Sequence, residues 1–128
     1  MAAHWRRRRR GDMQLLIVAG LVILGAFGTL LLKIGSVRVV YSDGLMPMLN
    51  SALRNPPLVI GMIMQMIPLV SWVVLLKFMP LTKLQPMIAL TYVITPVLAV
   101  LFLGEQVSAL RAAGIALIVV GVVLVSAS

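Results

Sequence analysis

Four long apolar runs constrain this chain more than any other feature. They cover residues about 15–32, 58–76, 84–103 and 109–125, and the only charge within them is Arg111, near the start of the fourth. Each reaches across about 30 Å of hydrocarbon at about 1.5 Å of rise per residue. Packing four such segments as buried helices of a soluble domain would leave almost nothing polar to face water. Of the 128 residues, 62% are apolar and 11% charged, against about 25% charged in soluble domains; the mean hydropathy is +1.13. In lipid the backbone finds no external partners, so spanning segments are helices or closed barrels. No run alternates with the period of a barrel strand. The expected fold is all-α, with four transmembrane helices. The first run is too long for a cleaved signal peptide and lacks a small-residue cleavage site.

The connections are unequal. Lys77 to Lys83 and Gly104 to Ser108 are tight, which makes the last three spans antiparallel neighbours. Between Lys33 and Pro57 the connection is longer, and within it Asp43 to Asn55 reads as a short amphipathic helix. Leu45, Met48, Leu49, Ala52 and Leu53 form its apolar stripe, which suits the membrane interface. Asn55-Pro56-Pro57 stops that helix and opens the second span. The expected organisation is a basic tail over 1–13 and a single four-helix domain over 14–128. Met13 stands directly before the first apolar run, where a shorter product would begin.

Most of the net charge of +8 comes from Arg6 to Arg10. A short Arg run beside an apolar span sets orientation or touches anionic lipid, so no nucleic-acid partner is expected. Counting Lys and Arg, the N-terminal side carries seven (Arg6 to Arg10, Lys77, Lys83) and the other side four (Lys33, Arg38, Arg54, Arg111). Both termini are therefore expected in the cytoplasm. Without the Arg run the count reverses, two against four.

Little here supports catalysis. The chain has no cysteine, a single histidine (His4) in the basic segment, and three scattered acids: Asp12, Asp43 and Glu105. These make no two-carboxylate hydrolytic pair, metal cage or nucleophile triad. No enzyme activity, metal or cofactor is expected.

The candidate functional residues are polar or small groups within the spans. Gln85, Ala89, Tyr92 and Pro96 share one face of the third span, within about 60° at 100° per residue. Gln65, Pro68 and Trp72 share a face of the second. Polar side chains at such depth mark either helix–helix bonding or a solvated pathway. Pro68 and Pro96 free backbone carbonyls, as a cavity wall or a kink requires. Lys33, Lys77 and Lys83, at span ends, are placed either to meet lipid phosphate or to snorkel as anchors. Gly114 and Gly121 lie a heptad apart on the fourth span, as in a helix–helix seam where backbones approach closely. Gly25, Gly28 and Thr29 cluster similarly on the first.

Leu103-Gly104-Glu105-Gln106, followed by Gly114-Ile-Ala-Leu-Ile-Val-Val-Gly121, resembles the last hairpin of an EamA-type repeat of the drug/metabolite transporter superfamily. Met79-Pro80-Leu81 and Pro86-Met-Ile-Ala-Leu-Thr-Tyr92 resemble the third helix of its four-span members. Gly28-Thr29-Leu-Leu-Leu-Lys33 is also similar to the first helix of the small multidrug resistance family. That family carries an essential glutamate shortly before its Gly-Thr pair. Here Gly25 takes its place, and Met87 stands where the third helix carries a tryptophan. The other four-span group resembles flippase subunits for aminoarabinose linked to undecaprenyl phosphate. It lacks the glutamate and has a longer first connection, although Gln85 precedes the proline where tyrosine is frequent.

The resemblance implies a bacterial inner-membrane flippase, or a subunit of one, for a polyprenyl-phosphate-linked sugar or similar lipid. It further implies a homodimer, or a heterodimer with a similar four-span subunit, sealed through Gly114 and Gly121. Gln65, Gln85 and Tyr92 would line the headgroup cavity, and Lys33 or Lys83 would meet the phosphate. Two other functions remain open: a small exporter of drugs or metabolites, and a non-transporting membrane adaptor.

Overall fold

The expected apolar periodicity resolves into six helices in a computed structural model. It describes the backbone of residues 2–41 and 44–128, and side chains from Arg9 onward. They are α1 (Ala2–Ser36), α2 (Leu45–Leu53), α3 (Pro56–Phe78), α4 (Leu81–Ile88), α5 (Thr91–Leu103) and α6 (Ala109–Ala127). All-α holds. Four segments are long and apolar enough to cross a membrane: Arg9–Ser36, Pro56–Phe78, Leu81–Leu103 and Ala109–Ala127. They alternate in direction, so the chain has a basic end, carrying the start of α1, and a far end, where α1 and α5 finish.

The basic segment is continuous with the first helix. Arginine is a good helix former, and α1 runs unbroken for 35 residues, roughly 50 Å at 1.5 Å per residue. That exceeds the hydrocarbon thickness, so the Arg-rich turns extend the span beyond it. The side chains of Arg6 to Arg8, and Asp43, lie outside the described residues.

The short helix expected between the first two spans is α2. Met48 and Ala52 are half-buried, while Leu45 and Leu53 stay exposed on the same stripe. Two bonds fold this connection back on the bundle. The Val40 N–H donates to Ser51 Oγ at 3.2 Å, and Asn55 Nδ2 donates to the Gly35 carbonyl at 2.7 Å. A helix leaves its last carbonyls without partners, so Asn55 caps α1 while opening α3. Pro56 and Pro57 then occupy the first turn of α3, where no N–H is needed.

α3 packs most extensively on α1, and glycines let the two backbones meet. A Cβ on Gly61 would lie 2.9 Å from the Gly28 carbonyl oxygen and 2.9 Å from the Leu32 nitrogen. One on Gly35 would lie 2.7 Å from the Leu58 nitrogen. Such contact is what holds helices together in lipid, where apolar burial offers no driving force. The small-residue cluster of the first span therefore serves an internal seam.

The third span is broken. α4 stops at Ile88 and α5 starts at Thr91, with Ala89 and Leu90 in tight, 3₁₀-like geometry (φ −57°, ψ −19° and φ −57°, ψ −24°). Pro68 and Pro96, in contrast, lie within continuous helices. The turn between α3 and α4 is shorter than expected, only Met79 and Pro80. Gly104, at φ +64°, ends α5 in the left-handed conformation that glycine adopts without steric cost. Ser108 caps α6, its Oγ accepting from the Arg111 N–H at 3.3 Å.

Two apolar clusters knit the bundle. Val18, Val22, Leu75, Met79 and Leu84 close the basic end. Ala26, Leu30 and Leu98 join α1 to α5 further along. α6 is held loosely: Val122 is its one buried side chain, and most of its length remains exposed.

Candidate functional site

Both α3 and the α4–α5 segment lean on α1, and a cleft of about 550 Å³ lies between them. Its floor at the basic end is the cluster containing Leu75 and the fully buried Leu84. Toward the far end, α1 and α3 close at the contact between Gly28 and Gly61. The side along α3 stays open, with Met66 53% and Leu69 58% exposed. The cleft is thus closed at both ends and open along one helix.

The walls are mainly aliphatic, with Trp72 as the aromatic member and Thr29, Gln65 and Thr91 as the polar side chains. Gln65 sits nine residues after Pro56, about 14 Å along α3 at 1.5 Å per residue and thus in the middle third of the span. It donates from Nε2 to Thr29 Oγ1 at 2.9 Å. Thr29 Oγ1 donates in turn to the Gly25 carbonyl, also at 2.9 Å. A hydroxyl has one proton. Since Thr29 gives its own to Gly25, it can only accept from Gln65. The relay thereby orients the amide: Nε2 faces α1 and Oε1 is left without a protein donor among the described residues. Among the described residues, nothing charged lines the cleft.

On the opposite wall, the helix break matters. Backbone N–H groups of Ala89, Leu90, Tyr92, Val93 and Ile94 all find carbonyls across it. The break lies between Ile88 and Thr91. Both residues line the cleft. The cleft is therefore an apolar slot with an uncharged, hydrogen-bonding centre.

Of the five residues expected to bind substrate, the structure brings only Gln65 to this cleft. Gln85 and Tyr92 are exposed, Tyr92 by 67%, and lie on the outward face of the third span. The inward face is Leu84, Ile88, Thr91, Thr95 and Leu98, about 100° away around the helix. Leu84 and Leu98 are buried on it, and the Thr95 Oγ1 is buried without a partner among the described residues. Lys33 and Lys83 are exposed at opposite ends of the bundle, outside the cleft. Lys33 Nζ lies 3.8 Å from Glu105 Oε1, with both side chains about half exposed. Gly114 and Gly121 face open space, with nothing within 4 Å of a Cβ added at either.

Thr91 and the bonding role of Thr29 escaped the sequence reading. Both carried a usable signal. A small hydroxyl residue deep in a span, one turn from another on the buried stripe (Thr91 and Thr95), favours the interior. Gln85, in contrast, sits near a span end, where a long polar side chain reaches the interface.

Compared with protein-family models, curated proteins and solved structures, the chain matches none.

Proposed function

We propose that this protein is a membrane transporter, a flippase or flippase subunit for a polyprenyl-phosphate-linked sugar or similar lipid. The observation that carries the reading is the cleft, open along one helix, with apolar walls and an uncharged polar centre at mid-span. An amphiphile crossing the bilayer needs shelter for its polar group while its chain stays in hydrocarbon, and this shape offers both. Polar groups at this depth carry a cost and are characteristic of transport pathways. The lysines suit the same route from outside the cleft. Lys83 at the basic end and Lys33 at the far end would meet a lipid phosphate before and after passage.

Four helices with one loosely held partner suit a dimer. The outward stripe of α6, containing Gly114 and Gly121, is free to take a second copy or a similar four-span subunit. Gln85 and Tyr92, on the outward face of the third span, would belong to that assembled surface. The both-termini-cytoplasmic arrangement in a bacterial inner membrane belongs to the same proposal, resting on the Lys/Arg count.

Export of drugs or metabolites is the second reading, favoured by the cleft volume of about 550 Å³, within the range of small-molecule sites. Reconstituted vesicles separate the two. The flippase reading expects time-dependent exposure of a labelled polyprenyl-phosphate sugar to a membrane-impermeant reagent, and no efflux of cationic dyes. Dye efflux without flipping would promote the exporter. Neither activity, with a partner enzyme stabilised in cells, would leave the adaptor.

A further inference from the structure

The hydrogen-bond relay at the cleft gives the site a chemical polarity. Gly25 O accepts from Thr29, Thr29 accepts from Gln65, and both links are 2.9 Å. The relay uses one of the two Gln65 amide protons and leaves the carbonyl oxygen beside Gly25. A Cβ on Gly25 would meet that Oε1 at 3.6 Å and the Pro68 ring at 3.8 Å. Among the described residues, the lining contains no Lys, Arg, Asp or Glu. An anion would find no counter-charge there. A cation would find an aromatic face in Trp72 but no carboxylate, and burying an unpaired ion is costly.

We propose that the cleft selects an uncharged hydrogen-bond donor, a hydroxyl or an amide N–H carried by an amphiphile, and that Gln65 Oε1 is the acceptor that reads it. This rests on the reading of the cleft as the place where a transported lipid's polar group sits. It adds that the part recognised at Gln65 is neutral. A site built around a hydrogen bond rejects an analogue that lacks the matching group far more strongly than one of different size.

The test uses the full chain in phosphatidylcholine nanodiscs and a decyl β-glucoside carrying a diazirine in its chain. After photolysis, labelled peptides are mapped by mass spectrometry. Four unlabelled competitors follow: decyl β-glucoside, its per-O-methyl ether, decyl phosphate and decyltrimethylammonium. The expected result is labelling of segments holding Gln65, Trp72 and Thr91, displaced by decyl glucoside at concentrations at least about tenfold lower than by the other three. The methyl ether keeps every oxygen and loses every donor, so it isolates the interaction without altering the protein. Gln65→Leu should cost the glucoside about tenfold in displacement, near 1.4 kcal/mol. If that variant fails to fold, the competitor series on the intact protein decides alone. Equal displacement by the ether, the phosphate or the ammonium would overturn the proposal, as would labelling confined to other segments. Flipping is assayed in parallel. Selective displacement without flipping overturns the transport reading only, whereas flipping with unselective displacement overturns donor selection only.

Discussion

Gln65 Nε2 and Thr29 Oγ1 stand 2.9 Å apart across the α1–α3 seam, joining the second span to the first at mid-membrane. Hydrogen bonds of this kind between membrane helices contribute about 0.6 kcal/mol on average and up to roughly 1.7. A double-mutant cycle of Gln65→Leu and Thr29→Val, read by reversible unfolding in mixed micelles, should return a coupling energy in that range. Strict additivity of the two substitutions would mean that the bond is absent in the folded protein.

The glycine seam makes a second expectation, this time about shape. Gly61→Ala places a methyl 2.9 Å from two backbone atoms of α1, and Gly35→Ala places one 2.7 Å from the backbone of Leu58. Backbone cannot swing aside as a side chain does, so each should cost about 1–3 kcal/mol. Gly25→Ala meets only ordinary contacts, the nearest at 3.6 Å, and should stay within about 0.5 kcal/mol of the parent. Thermal unfolding in detergent checks the order; equal effects at Gly25 and Gly61 would contradict the seam.

How far these features were legible in the sequence differs from one to the next. The spans were plain, because an uncharged run of some twenty residues has few other uses. The helix α2 followed from a stripe at helical spacing, and Pro56-Pro57 marked its end. The structure turns a different face of the third span inward. Gln85 and Tyr92 drew attention as large polar groups, yet the interior of a bundle in lipid is chosen by close packing. Leu84, Thr91 and Leu98 fit that interior better. Nor did the break at Ala89 and Leu90 have a residue of its own to announce it, since both keep right-handed helical dihedrals. It falls just after Pro86, which cannot donate to the preceding turn, whereas the equally visible Pro68 and Pro96 leave their helices unbroken.

Orientation rests on charge outside the spans. With Arg6 to Arg10 present, a reporter fused to the C-terminus should report the cytoplasm. Deleting those five arginines should weaken or invert the preference, because the remaining Lys and Arg then favour the opposite side. A periplasmic C-terminus in the intact chain would refute this arrangement.

The proposed dimerisation through α6 has a test that the open surroundings of its glycines make clean. Gly114→Ile and Gly121→Ile meet nothing within the subunit, so the monomer fold should survive both. What they should remove is close approach of a second helix. Cross-linking and native mass measurement should therefore show loss of the dimer with unchanged helical content. A persistent dimer in both variants would place the seam elsewhere.

Energy coupling separates the two transport readings most sharply. Proton-driven exchange of a cation needs a carboxylate within the substrate path. Among the described residues, no acid lines the cleft. Among the described residues Glu105 is the acid of the far end, and it lies 3.8 Å from Lys33 with both groups about half exposed. Exposed pairs contribute roughly 0–1 kcal/mol, so Glu105→Gln should leave the fold intact and transport largely unchanged. Lys33→Ala or Lys83→Ala, by contrast, should slow handling of a phosphate-bearing lipid while leaving the Gln65 cleft as it is. The measurement is transport into or out of vesicles with and without an imposed pH gradient, for the parent, Glu105→Gln and both lysine variants. Flipping indifferent to the gradient and to Glu105→Gln is the expected outcome. Strong proton-driven efflux of a quaternary or guanidinyl cation, abolished by Glu105→Gln in folded protein, would instead make this chain an exporter with its coupling group at the membrane surface.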